Sequence, residues 1–217
     1  MSIRKTELVT GEYYHVYNRG NSKKEIFHDD QDYGYFQKLL FIMNTEKRTA
    51  FRDVGVNVFK NNQDEKVVSV GAYSVMPNHF HILIKQELDN GVSIFMQKLG
   101  TAYVTYYNKK YKRTGSLFEG KFKSKYAGVD SYLKYLFSYI HLNPLKITDQ
   151  NWKKNKINSQ KHIGFLENYK YSSFIDYLGK EREEAQIINK DAFPDYFPTK
   201  GKFVKEVSSW VCLSEFD

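Results

Sequence analysis

Residues 67–86 constrain the fold more than any other stretch of the chain. Val67 to Val75 and His79 to Gln86 are rich in β-branched and aromatic residues, and only Met76-Pro77-Asn78 separates them. Two such runs joined by a short Pro-Asn connection predict an antiparallel hairpin. Side chains alternate along a strand. Phe80, Ile82 and Ile84 therefore share an apolar face, and His79 and His81 share the other. Two adjacent imidazoles over an apolar backing suit a metal ion, and by donor type alone the ion would be zinc. The same spacing also occurs on half-exposed strands that bind nothing, so the pair needs support from elsewhere in the chain.

The rest of the chain supplies a sheet and its helices. Residues 13–20, Tyr-Tyr-His-Val-Tyr-Asn-Arg-Gly, read as a first strand ending in a turn, with Tyr13, His15, Tyr17 and Arg19 on one face. Asp29 and Asp30 suit the start of a helix running to about Lys47, with Tyr33, Phe36, Leu39, Leu40 and Met43 as its apolar stripe. Arg52 to Lys66 reads as a polar surface loop. Asp89-Asn90-Gly91 precedes a second helix, Val92 to about Tyr111, and Ser116 to Ala127 reads as extended and partly strand. A third helix spans Val129 to Leu142 on Leu133, Leu136, Phe137 and Ile140. Pro144 disfavours helical geometry at Asn143, so the helix is expected to stop there. This order predicts an α+β fold: a ferredoxin-like (RRM-like) antiparallel sheet covered on one side by helices. Residues 1–146 would form the core domain. Residues 147–217, with short helices near Asp176 and over Phe203 to Trp210, would be a C-terminal extension that packs on the core or covers its site.

At 217 residues, 41% of them hydrophobic, there is material for one packed domain and an extension. No apolar run approaches the roughly 20 residues that span a bilayer. The first residues carry no hydrophobic leader, and the single Cys212 excludes an internal disulfide or a multi-cysteine zinc site. A cytoplasmic protein with no membrane partner is expected. The net charge of +8 is unevenly placed: residues 147–217 carry eleven basic and eleven acidic side chains, so the whole excess lies in residues 1–146. Lys109 to Lys125 holds seven basic residues against Glu119 alone, interleaved with Tyr111, Phe118 and Phe122. A solvated helix face needs no such aromatics. Basic groups for phosphates with rings for bases are what nucleic acid requires.

The third helix adds a nucleophile. Tyr139 and Asn143 are one turn apart on one face, with Tyr132 and Tyr135 preceding them. A tyrosine can attack a phosphodiester beside a bound metal, forming a covalent ester. A free phenol titrates near pH 10, so the phenolate forming in the reaction needs a nearby cation. Any one of 18 tyrosines is as readily explained by packing, with its hydroxyl hydrogen-bonded.

Four segments together carry a resemblance. Residues 14–20 (Tyr-His-Val-Tyr-Asn-Arg-Gly), 76–81 (Met-Pro-Asn-His-Phe-His), 115–124 (Gly-Ser-Leu-Phe-Glu-Gly-Lys-Phe-Lys-Ser) and 139–144 (Tyr-Ile-His-Leu-Asn-Pro) resemble the single-tyrosine HUH transposases. Within these they are most similar to the branch associated with repetitive extragenic palindromes. Residues 169–173 and 177–179 also resemble a segment that such proteins carry past the core. The resemblance implies a metal-dependent single-strand DNA endonuclease and strand transferase. It would cleave beside DNA hairpins through a 5′-phosphotyrosine intermediate, with Tyr139 as nucleophile. His79, His81 and Asn143 would hold Mg²⁺ or Mn²⁺, and His141, off the Tyr139 face, has no ligand role. Arg19, Lys109, Lys110, Arg113, Lys121 and Lys123 would contact DNA. A bacterial, nucleoid-associated protein is implied, and relatives include homodimers in which one subunit's tyrosine serves the other's metal. A rolling-circle replication initiator and a non-catalytic hairpin-binding module are the alternatives.

Overall fold

The computed structural model of the protein describes residues 7–47, 58–60, 65–149 and 159–209. Four strands form one antiparallel sheet: β1 (Tyr13–Arg19), β2 (Val68–Met76), β3 (His79–Gln86) and β4 (Lys123–Tyr126). Their order is β2-β3-β1-β4, and α1 (Asp30–Ile42) and α2 (Gly91–Lys110) make the two crossovers. That is the ferredoxin-like βαββαβ arrangement expected from the element order. Pro77-Asn78 closes the β2–β3 hairpin, and the Pro77 carbonyl accepts hydrogen bonds from the Ile26 and Phe27 amides.

One expectation about the layers is corrected. The sheet is covered on both faces. Phe80, Ile82 and Ile84 join Tyr14, Val16, Phe36 and Tyr103 in the core beneath α1 and α2. On the other face Leu83 and Ala72 pack against Leu133, Leu136, Phe137 and Ile140 of α3 (Asp130–Leu142). Alternation places Leu83 among the polar-facing positions of β3, and an apolar side chain there requires a cover. α3 and the extension provide it.

Other differences are local. α1 stops at Ile42, with Met43 as its C-cap, short of Lys47. Within the expected surface loop, Val58 and Phe59 form a helical turn buried against Phe41. Most of that loop, like Trp210, lies outside the described residues. Pro144 does end α3 at Leu142, yet Asn143 keeps helical angles and the chain continues as a 3₁₀ turn over Asn143–Ile147. Proline is tolerated in the first turn of such a segment because its missing N–H has no partner to lose.

The extension carries more regular structure than its composition suggests: α4 (Ser159–Asn168), α5 (Phe174–Tyr177) and α6 (Lys200–Ser209). It lies along the outer strand β2. The Val75 amide donates to the Tyr171 carbonyl, the Asn189 amide to the Val70 carbonyl, and the Ser173 amide to the Tyr73 carbonyl. An exposed β2 edge would present unpaired backbone to other chains, and this segment covers it. Phe193 lies flat on Gly71, where any Cβ would come within 2.7 Å of its ring. Among the described residues no helix is long and apolar enough to cross a membrane.

Candidate metal and nucleophile site

Three histidines meet on the α3 face of the sheet. The β1–β3 register sets Arg19 opposite His79 and Tyr17 opposite His81. Directly opposed residues in an antiparallel pair project to the same side. His15, one step further along β1, reaches back so that its Nε2 lies 2.8 Å from His81 Nδ1. The rings of His79 and His81 are 5.0 Å apart. His15 shares the face predicted for Tyr13, Tyr17 and Arg19. Its contact with His81 depends on strand register, which that alternation does not specify.

All three imidazoles are neutral at pH 7. Burial pulls His15 down to about 3, with Lys125 adding to the shift. Burial and the Lys146 charge lower His79 to about 4, partly opposed by Asn143. His81 is held well below its ordinary value by burial, then by its two histidine neighbours and Lys146. A neutral imidazole keeps a lone pair for a metal, and the hydrogen bond at its other nitrogen sets which one. For His79 this can be read off. Asn78 donates its amide N–H to the Lys23 carbonyl, which turns Asn78 Oδ1 toward His79 Nδ1 at 2.6 Å. His79 Nδ1 therefore carries the proton, and Nε2 presents the lone pair.

α3 brings the tyrosine. The Tyr139 ring lies 5.4 Å from that of His81 and 5.8 Å from that of His15. Asn143 follows one turn later, fully buried, and is close enough to His79 to favour its protonated form. That contact does not satisfy the amide, since neither Oδ1 nor Nδ2 makes a well-formed hydrogen bond. A buried amide with both ends unpaired is costly and calls for a missing partner. Among the described residues no group of three His, Cys, Asp or Glu side chains could hold a metal. The donor set here is two imidazoles and an amide oxygen. Lys146, three residues past Asn143 on the 3₁₀ turn, holds its Nζ 5.8 Å from the Tyr139 ring centre. The sequence reading required a cation near the phenol without naming one, and it missed both His15 and Lys146. Tyr139, Asn143 and Lys146 are spaced four and three residues apart. That spacing is the available signal for Lys146, provided the helical turn continues through Pro144. His141 faces away, with Nε2 2.7 Å from Ser173 Oγ of the extension.

The expected DNA contacts divide. Lys123 projects to the imidazole face from β4, opposite Tyr17. Lys121 is exposed just before it, and Lys109 and Arg113 are exposed at the far end of α2. Arg113 lies over the Tyr107 ring and donates to the Ser116 carbonyl. Arg19 is half-exposed and paired with Glu119 at 2.6 Å. Lys110 differs from the rest. Its ammonium is 2.6 Å from buried Asp32 and 2.7 Å from Asp29, so its charge is spent holding α2 to α1.

Comparisons with known proteins bear on the family and the fold. The profile described as "Transposase IS200 like" matches residues 9–143. The solved structure of a REP-associated tyrosine transposase bound to a REP hairpin superposes with a TM-score of 0.55 at 13% identity, covering 85% of this chain and 90% of that one. At that identity the likeness speaks for the fold. Among curated protein sequences nothing matches significantly. The matched stretch includes both paired histidines, the tyrosine and the amide, and the chain belongs to the IS200-like transposases, enzymes that act on DNA.

Proposed function

We propose that the protein cleaves and rejoins single-stranded DNA beside a hairpin, with Tyr139 as the nucleophile. The observation that carries this reading is the position of the Tyr139 ring, 5.4 Å from His81 at the end of the helix that also presents Asn143. The solved neighbour, bound to a REP hairpin, supports a hairpin substrate.

The residues fit a divalent cation. His79 offers Nε2, and His81 can do the same if its Nδ1–H donates to His15 Nε2. Asn143 offers a buried oxygen that has no other partner. Mg²⁺ or Mn²⁺ is the ion we propose; when bound, such an ion withdraws charge from the phosphate and orients the ester. In the reaction the Tyr139 oxygen bonds to phosphorus and the bond from phosphorus to the 3′ oxygen breaks. The phenolic proton ends on that oxygen, leaving a 5′-phosphotyrosine and a free 3′-hydroxyl. Lys146 counters the charge that builds on the phenolate and the phosphoryl oxygens, in a site where three neutral imidazoles add none. Rejoining is the same displacement run backwards by another 3′-hydroxyl.

The test is adduct formation on a labelled hairpin with single-stranded flanks. Tyr139→Phe is expected to abolish the covalent product while leaving hairpin affinity within about twofold. His79→Ala and Asn143→Ala should lose Mn²⁺ binding in calorimetry, and His15→Ala should weaken it roughly 10- to 100-fold, as loss of a ligand's hydrogen-bond partner does. Tight binding with no adduct under Mg²⁺ or Mn²⁺ would make the protein a hairpin-binding module instead. An adduct that survives Tyr139→Phe would move the nucleophile to another tyrosine.

A further inference from the structure

α3 packs chiefly over β2 and β3, and among the described residues the β1–β4 side of the same face is left open. The gap is a cavity of about 220 Å³ walled by Tyr17, Tyr132, Tyr135 and Tyr139, with Leu136 among its apolar surfaces and Lys125 at the β4 side. His15 and His81 also border it, whereas His79 and Asn143 do not. Of the proposed metal ligands, only His81 is shared with this cavity, which lies beside Tyr139.

Its chemistry selects an occupant. The walls are flat aromatic faces ending in hydroxyls: Tyr132 and Tyr135 stack 6.2 Å apart at 23°, and Tyr135 lies 5.8 Å from Tyr139. Lys125 is the one Lys or Arg side chain in the lining, so the walls are mainly aromatic rather than cationic. A planar heterocycle with hydrogen-bonding edges suits such walls, stacked on a ring and met at its edge by a hydroxyl. The volume suits one purine and is too small for two stacked nucleotides with their sugars. Burial raises the Tyr132 hydroxyl above the ordinary phenol value, helped by Tyr139 and Tyr17, which keeps it a neutral donor. Because Tyr139 is a wall of the cavity, a base seated there belongs to a nucleotide at the attacked phosphate.

We propose that this cavity is a nucleobase slot, taking the base next to the phosphodiester that Tyr139 attacks and stacking it on Tyr17 and Tyr132. The site would then read one base of the single-stranded flank, which phosphate contacts alone cannot do. The proposal rests on the reading of Tyr139 as nucleophile.

The experiment places 2-aminopurine at each flank position in turn of a hairpin oligonucleotide and records fluorescence on binding, with adduct formation measured separately. Quenching is expected at one position, in wild type and in Tyr139→Phe, and should be lost in Tyr132→Ala and in Tyr17→Leu, the second at a half-exposed strand position. An abasic site at that position should slow adduct formation by about 5- to 150-fold, the equivalent of one base–aromatic stack. Tyr132→Ala should slow the intact substrate by a similar factor and the abasic one no further. Uniform fluorescence along the flank, or losses from the variant and the abasic site that multiply, would overturn the slot. Quenching at one position without any adduct would keep the slot and reject the nucleophile.

Discussion

Lys146 ties the site's electrostatics together. Its ammonium lies within cation–π range of the Tyr139 ring and contributes to the lowered proton affinity of both His79 and His81. A fixed cation at that point is worth most in the transition state, when charge spreads over the phenolate and phosphoryl oxygens. Lys146→Met is expected to slow adduct formation on the order of 100-fold, with Mn²⁺ affinity and hairpin affinity nearly unchanged, and Lys146→Arg should recover most of the rate. A fall in hairpin affinity that matches the fall in rate would make Lys146 a phosphate grip instead. The need for a cation follows from phenol chemistry. Its identity does not, because Pro144 between Asn143 and Lys146 argues against a continuous turn, and only the 3₁₀ geometry restores the shared face.

At the scale of elements, α1 and α2 are joined through one carboxylate. Asp32 is fully buried and accepts from Lys110, Tyr106, Tyr111 and the His28 amide. Burial alone would raise its pKa, yet these partners together bring it below the ordinary value. Its folded value is thus below its unfolded one, near 3.9. The stabilisation is fully present above the unfolded value and is lost as pH falls through the folded one. Asp32→Ala should cost about 3 kcal/mol at pH 7, and the gap between wild type and variant should narrow below about pH 4 in denaturant titrations. The helices themselves were legible from their stripes, and Asp29 caps α1 as expected. Lys110 was not legible as a structural residue. In sequence it sits in a basic run, and its acidic partners lie 78 and 81 positions away.

Across the whole molecule, the basic pairs proposed to meet DNA are exposed in two places, the far end of α2 and the segment entering β4. If both grip phosphates, removing Lys109 with Arg113, or Lys121 with Lys123, should flatten the dependence of log affinity on log salt by about one to two units. Lys110→Ala should leave that slope unchanged and lower the unfolding midpoint. A slope indifferent to both pairs would place the hairpin elsewhere. The extension contributes through packing rather than charge. Arg182 binds buried Asp176, the Ser172 carbonyl and the Tyr73 hydroxyl, locking the extension to β2.

Local periodicity was enough to determine the strands and helices of the core, their ferredoxin-like order, and which side of β3 carries His79 and His81, because side-chain direction repeats every two or 3.6 residues. The spacing of Tyr139 and Asn143 along one helix was likewise a local matter. Tertiary structure decided that α3 and the extension cover the imidazole face, that His15 is the partner of His81 across 66 residues, and that Lys146 rather than a residue of the basic run attends the tyrosine. Each of these depends on strand register and on how one element lies over another. Contacts between distant positions fix both, and no pattern within a single segment contains them.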